Sequence, residues 1–496
     1  MALLILALPA VAQSDATVRV RLLHPEAPAD VRLEPLNGPA EIEVDGRQAG
    51  GVWTGEPVQI TRGRSVVTVR FGGAEVAGAE VRVRSEQLRL VADGIDRQYL
   101  GEIVARAEAR RMVLVNHTPL EPYIASVVAS EFGFRALEGA KAQAVLVRTY
   151  AVRRAGAHAH YDLDDHQGSQ VFRGVTAATP TTLQATEETA GEVLSYRGAL
   201  ADAYYFSSSG GHTADNDAVW EGPPVPYLRG VPDPYDTTSP DHTWQTSASR
   251  RTVLRALSQL AGGAVEGFEI LDRTRSGRIR TIRLIGGQRL TITGPQFRRA
   301  VNAVAGARTV RSTRFEAWAE GDRYVFRGSG YGHGVGMSQF GALGMDQAGY
   351  GYRDILAHYF VGTDVTGGRG ALPASPPLAV AQADVTSPSR PPVSFRPPPS
   401  LRARFHTQHA DRAPAPERGP QPWAGESLAT GDARPEARPE PRDDRRGGPD
   451  RRQGPDRRQG TRTGEDRRQQ PDRRRAVPEA HDAPAAEAAS PRRTAW

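Results

Sequence analysis

Cysteine is absent from the 496 residues. That excludes a disulfide framework, a thiolate zinc site and a cysteine nucleophile. No apolar run beyond the first residues is long enough to span a bilayer. There is no G-x-S-x-G elbow, and the glycine-spaced segment 330–341 carries neither a G-x-G-x-x-G pattern nor a Walker lysine, so a serine-hydrolase elbow and a phosphate loop are both disfavoured. Hydrophobic residues make up only 39% of the chain, low for a wholly globular protein, so part of it is expected to stay outside any core. The formal net charge is +6, which suits an anionic partner such as nucleic acid or cell wall and bears on encounter rather than fold. No nucleic-acid-binding motif accompanies it.

What is present divides the chain into four pieces. Residues 1–12 read as the apolar part of a secretory signal, with Ala10-Val11-Ala12 before Gln13 as a small-x-small cleavage site; the basic segment that normally precedes such a core is expected upstream. Residues 13–95 form a β-rich region. Thr17–Leu22, Glu41–Val44 and Val66–Phe71 alternate, and Asp45-Gly46, Arg62-Gly63 and Gly72-Gly73 punctuate them. Residues 96–366 mix helical and strand patterns as an α+β domain. Residues 367–496 are rich in proline, arginine and aspartate, with Asp-Arg-Arg recurring from Asp444 to Asp472. Such a polyampholyte cannot bury a core and is expected to be disordered, as a solvated spacer or a weak tether to anionic wall polymers.

The most informative residue is Glu131. Thr118-Pro119-Leu120-Glu121 has the form of a capping box with proline at the helix start. Ile124, Val127, Val128 and Glu131 then follow on one helical face, and Gly133 is expected to end the helix. A carboxyl at the end of an apolar stripe is desolvated, which keeps it protonated to higher pH, the property a general acid needs. From the residues alone, an exposed helix-end charge is the plainer reading. A second helix is expected from about Ala136 to Arg154, with Lys141, Ala144 and Arg148 on one side. Strands are expected at Gln170–Phe172 and Asp202–Phe206, a helix at Arg250–Leu260, a hairpin around Gly286-Gly287 and a closing helix at Tyr352–Phe360.

Several separated blocks together resemble the SpoIID/LytB family, which includes sporulation stage II protein D and the amidase enhancer LytB. They are Arg97-Gln98-Tyr99-Leu100-Gly101, Leu120-Glu121-Pro122-Tyr123-Ile124, Val127-Val128-Ala129-Ser130-Glu131, Lys141-Ala142-Gln143-Ala144 with Arg148-Thr149-Tyr150-Ala151, Ser169-Gln170-Val171-Phe172, Ser208-Ser209-Gly210-Gly211-His212 and the segment from Gly330 to Ala342. The resemblance implies a peptidoglycan lytic transglycosylase that cleaves glycan strands, preferentially strands stripped of stem peptides, to 1,6-anhydro ends. Glu131 matches its catalytic glutamate. Arg148, Gln170, Ser209, Gly210, His212, His333, Ser338 and Gln339 are the expected substrate-binding residues, and His333 is expected near Glu131. Arg148 and Gln170 have structural alternatives, a surface cation and a strand-end amide. Trp220 and Tyr227 are candidates for stacking on sugars or for packing.

Two departures from the family pattern matter. Phe132-Gly133 follows Glu131 where a methionine or a proline-containing turn is common. Some members hold zinc through cysteine and histidine just before the Gln-Val-Tyr strand, whereas here those cysteine positions correspond to Asp164 and Ser169. His160, Asp164 and His166 offer nitrogen and oxygen donors instead, but the expectation is a metal-free loop held by hydrogen bonds, with no cofactor. The expected partners are glycan strands and a cell-wall amidase, without nucleic acid or a transmembrane segment. The expected location is secreted, periplasmic or wall-associated, and the alternative to the enzyme is a non-catalytic, wall-binding amidase enhancer.

Overall fold

The alternation near the N-terminus folds as a sheet. The computed structural model of the chain describes residues 16–24, 28–108, 111–287 and 289–368. The expected signal and all but the first residues of the expected tail lie outside these. Ten strands come first: β1 (Thr17–Leu22), β2 (Asp30–Asn37), β3 (Ala40–Val44), β4 (Arg47–Val52), β5 (Val58–Arg62), β6 (Val67–Phe71), β7 (Ala74–Gly78), β8 (Glu80–Ala92), β9 (Ile95–Glu108) and β10 (Arg111–Pro119). In β1 the residues Val18, Val20 and Leu22 are buried while the intervening arginines are not, as a period of two requires. The boundary expected at 95/96 lies within the first residues of β9, just after the Asp93-Gly94 turn that joins it to β8. Both turn residues have positive φ, 46° and 78°, the conformation that closes a tight hairpin. The two strands pair from Glu80↔Arg106 to Ala92↔Ile95. The N-terminal sheet and the helices that follow share one hydrophobic core, which joins Val20, Val83 and Ile103 to Ile124 and Val145.

Strand β10 runs straight into α1 (Leu120–Glu131), which is followed by α2 (Leu137–Arg154). The capping box is not formed. Pro119 occupies the cap position without a side-chain hydrogen bond, and Glu121 serves a different purpose. Its two oxygens accept from Nε and Nη2 of Arg148 at 2.9 and 2.6 Å. Arg148 is wholly buried, and its remaining bonds go to the carbonyls of Glu192 and Thr186. The pair bolts α2 to the first turn of α1.

The chain then forms β11 (Leu163–Asp164), α3 (Pro180–Glu188), β12 (Glu192–Tyr196), β13 (Ala199–Leu200) and β14 (Tyr205–Phe206). It leaves this body after Phe206 and returns at Met337. Between these points lie β15 (Trp244–Ser249), α4 (Arg250–Ala261), β16 (Val265–Arg273), β17 (Ile279–Gly286), β18 (Leu290–Thr293), α5 (Gly294–Ala305), β19 (Phe315–Glu320) and β20 (Arg323–Gly328). These elements enclose a second core of their own, centred on Phe297, Phe315 and Phe326. On return, β21 (Met337–Ser338) pairs in parallel with β14, Tyr205 opposite Met337. Helices α6 (Gln339–Gln347) and α7 (Tyr352–Tyr359) and strand β22 (Asp364–Gly367) complete the described chain, with β22 beside β12. The architecture is α+β, with sheets antiparallel except at the β1–β11 and β14–β21 pairs, and a helical layer.

Candidate active site

Helix α1 buries Ile124, Val127 and Val128 completely. The same face continues to Glu131, the last residue of the helix. Phe132, also fully buried, is the C-cap residue just beyond, and Gly133 follows it. Glu131 is half-buried as a residue. Its Oε1 accepts the Val171 backbone N–H at 2.9 Å, and the Gln339 side chain is a second hydrogen-bond partner. Burial raises the carboxyl above its ordinary range; these two bonds and the Arg173 charge oppose that shift without cancelling it. The helix C-terminus, whose free carbonyls disfavour an anion, acts in the same direction as burial.

The strand expected at Gln170–Phe172 is instead an extended passage outside any ladder. This matters chemically, because the Val171 N–H is left free to bond Glu131. Gln170 stands behind it, wholly buried. Its Oε1 accepts from Tyr123 Oη at 2.9 Å, and its amide lies 3.5 Å from both Tyr205 Oη and the Val147 carbonyl. Burial above all keeps the Tyr123 and Tyr205 hydroxyls protonated, and the nearby Glu131 charge adds to this.

The two glycine-rich segments hold one another. Ser208 and Tyr331 exchange backbone hydrogen bonds at 3.0 and 2.8 Å. The buried Asp236 carboxylate accepts from Ser208 Oγ at 2.6 Å and from the Gly210 N–H at 2.8 Å, and its other oxygen meets His242. Ser209 is buried, and its Oγ accepts the Gly211 N–H at 3.0 Å. Gly210 has φ 66°, and a Cβ there would sit 2.5 Å from the Gly330 nitrogen. His212 is partly exposed, with Nδ1 on the Thr213 carbonyl. Ser338 is buried and caps α6, accepting the Gly341 N–H at 3.1 Å.

His333 Nε2 donates to the Tyr205 carbonyl at 3.0 Å, while Nδ1 accepts the Val335 N–H at 3.1 Å. These partners fix the neutral tautomer, and burial pushes the ring down to about 3. Its ring packs beside Trp220, 5.1 Å between centroids. Tyr227 is buried and donates to Asp202, a packing residue.

Of the expected site residues, Glu131 and Gln339 meet directly and Gln170 supports them from behind. Arg148 corrects the reading that it faces the cleft: its guanidinium is enclosed and committed to Glu121. Ser209, Gly210 and Ser338 brace the loops with their polar groups already bonded. The reading missed the Val171 N–H, which leaves no mark in a sequence, and the hydroxyls of Tyr123 and Tyr205, which lay inside recognised blocks without being singled out.

One glycine here is fixed by contact. A Cβ on Gly341 would lie 2.0 Å from Tyr359 Oη and 2.5 Å from an oxygen of Asp233, a buried carboxyl that burial raises to about 6. Gly341→Ala is expected to destabilise the protein by about 1–3 kcal/mol through overpacking, read as a lowered denaturation midpoint; an unchanged midpoint would show that the Asp233–Tyr359 contact yields freely.

In the 158–169 loop, His160 turns to Arg106. His24, unnoticed in the sequence, joins Asp164 and His166 instead, with one ligand atom from each within 4.8 Å of the others. The donor set suits a divalent transition metal. Asp164, however, is held by Arg21 at 2.5 Å, and the two imidazoles bond each other at 3.2 Å. A cation would have to displace Arg21, so these residues do not fit a metal well.

The fold and the site together define an α+β protein with one shielded carboxyl held at the end of α1. A family model described as stage II sporulation protein, SpoIID, matches residues 108–196, and one described as a domain of unknown function, DUF8618, matches residues 236–336. The first spans α1, α2 and the Val171 passage; the second covers β15 to β20, the elements that enclose the second core. Stage II sporulation protein D of Bacillus amyloliquefaciens is 32% identical over 271 residues, 51% of this chain and 75% of that one. An uncharacterised protein of Brachyspira hyodysenteriae is 28% identical over 354 residues, 70% of this chain and 92% of that one. The amidase enhancer of Bacillus subtilis is 29% identical over 276 residues, 46% of this chain and 38% of that one. The chain belongs to the SpoIID family.

Proposed function

We propose that this chain is an exported peptidoglycan-remodelling protein, a lytic transglycosylase that cuts the bond between N-acetylmuramic acid and N-acetylglucosamine in glycan strands. The observation that carries this reading is the Glu131 carboxyl, raised above its ordinary range by burial and held by the Val171 N–H and Gln339 at the end of α1. When protonated, it donates to the glycosidic oxygen as the bond to the anomeric carbon breaks. The carboxylate left behind is stabilised by the Val171 N–H and by Gln339. It then takes the proton of the muramic C6 hydroxyl as that oxygen closes on the anomeric carbon. The acid is regenerated and the product ends in a 1,6-anhydro ring. No water is consumed, so the second carboxylate usual in glycoside hydrolysis is not required.

The likeness to the amidase enhancer favours a second reading, in which the chain binds wall and activates an amidase without cutting. Purified protein incubated alone with isolated peptidoglycan separates the two. Soluble glycan fragments are expected on the first reading. Stimulation of an added amidase with no fragments released by the protein alone supports the second. Either role places the chain outside the cytoplasm, and no described helix is long and apolar enough to cross a membrane.

The raised carboxyl also predicts a pH effect on stability. Between the ordinary and the raised value the folded chain holds more protons than the unfolded one, so stability from this group is full at low pH and is lost as pH rises through the raised value. Glu131→Gln is therefore expected to raise the melting temperature more at pH 8 than at pH 4. An equal shift at both would contradict the desolvation.

A further inference from the structure

Gln339 is one of the two donors that meet Glu131, and it stands at the first position of α6. Its reach therefore depends on where that helix begins. Ser338 caps the helix, and the Phe340 N–H donates to the Ser207 carbonyl at 3.0 Å. The Phe340 ring packs on Phe134, 5.0 Å between centroids, and Phe134 packs on Phe132 at 4.9 Å. The first turn of α6 thus touches the chain that leaves Glu131.

The first two turns of α6 also rest on residues 233–236, with a glycine at each contact. A Cβ on Gly344 would lie 2.0 Å from the Tyr235 carbonyl oxygen, just as one on Gly341 would meet Asp233 and Tyr359. Asp233 and Asp236 are both wholly buried, and they serve different neighbours. Asp236 is committed to Ser208, the Gly210 N–H and His242. Asp233 faces α6. Around it stand the hydroxyls of Ser209 and Tyr359, the Asp236 charge, and the Tyr235 N–H, which donates to Oδ1 at 3.3 Å. Ser209 Oγ already accepts the Gly211 N–H, so its own proton is free for Asp233. A carboxylate can accept from all three of these donors, and the free N–H groups at the start of α6 favour an anion there.

We propose that Asp233 is a positioning residue for Glu131: its carboxylate, set between Tyr359 and the Cα of Gly341, fixes where α6 starts and so places Gln339 on the Glu131 carboxyl. Asp233 acts through Gln339 and not on Glu131 itself. The inference deepens the reading above, and it rests on that reading only for its consequence for cleavage. The stem of the excursion thereby sets the acid on α1.

The test reads the carboxyl directly. The full chain, labelled with carbon-13 at its glutamate carboxyls, is titrated by NMR, the Glu131 signal being the one missing from Glu131→Gln. Gln339→Met removes a donor from the carboxylate, and the Glu131 midpoint is expected to rise by about one pH unit. Asp233→Ala is expected to raise it about as far, and to add nothing in a chain that already carries Gln339→Met. Asp233→Asn keeps the shape and an acceptor oxygen, so a clearly smaller rise is expected. Tyr359→Phe removes the hydroxyl on the other side of the contact and is expected to raise the midpoint too; these two variants carry the test if Asp233→Ala does not fold. The Asp233 charge acting through space would give the opposite sign, since removing a nearby anion lowers a carboxyl. The Arg173 charge and the Tyr123 and Tyr205 hydroxyls, the other groups around Glu131, are unchanged in every variant. A midpoint unmoved or lowered by Asp233→Ala and Tyr359→Phe overturns the proposal, even where stability falls. So does a rise from Asp233→Ala that is equal with and without Gln339. Midpoints that move as expected in a chain that cuts no glycan sink the transglycosylase reading alone. Cleavage by the wild-type chain alongside unmoved midpoints sinks this inference alone.

Discussion

Glu131→Gln is expected to slow glycan cleavage by about a hundred- to ten-thousand-fold, the range a positioned general acid supplies. Glutamine matches the shape and keeps an oxygen that can accept from the Val171 N–H, so the end of α1 and the passage at 170–172 should hold their places. What is lost is the transferable proton. Wall binding is expected to persist, because the substitution changes one atom of the side chain and leaves the surrounding surface as it was. Cleavage is measured as release of soluble fragments from isolated peptidoglycan, and binding by sedimentation with it. A variant that binds and still cuts at the wild-type rate removes Glu131 from the chemistry.

The second large effect concerns Arg148 and Glu121. Arg148 is fully enclosed, and Glu121 is its one carboxylate partner among the described ion pairs. Glu121→Ala leaves a buried guanidinium without its counter-charge and is expected to destabilise the protein by about 3–5 kcal/mol. Replacing both, as Glu121→Leu with Arg148→Met, is expected to restore most of that loss, because apolar groups of similar volume avoid the desolvation of either charge. Denaturant unfolding of the single and double variants reads this directly. A single variant as stable as wild type would mean that water reaches Arg148. A double variant less stable than the single would mean that the carbonyl contacts to Thr186 and Glu192 outweigh the ion pair.

The elements legible in the sequence were those with a clear period. The alternation of β1 and β3, the hairpin around Gly286-Gly287 and the helices from Leu137 and Arg250 lie within a residue or so of expectation. The reading failed where tertiary contact decides. Gln170–Phe172 looks like a strand by composition, yet it has no neighbour to pair with and crosses the end of α1 instead. Gln339 begins a helix inside what reads as a glycine loop, because Ser338 caps it from within the pattern. Helix α5 went unnoticed, although Thr293 and Gln296 form a reciprocal cap at its start. Arg148 sits on a helix face that spacing alone marks as polar, and only its burial against Glu121 reveals a structural cation. The second core was hidden because an excursion from 207 to 336 leaves no linker: its ends are pinned together by the pairing of Tyr205 with Met337. Glu131 itself was legible as the polar end of an apolar stripe. Its two donors were not, since one is a backbone amide and the other arrives from more than two hundred residues away.

The most direct measurement is the mass of the fragments that wild-type protein releases from purified glycan strands. The account predicts chain ends lighter by one water than hydrolytic ends, resistant to borohydride reduction and missing from the Glu131→Gln digest. Ends that carry the added water and reduce with borohydride, or anhydro ends produced equally by the variant, would contradict it.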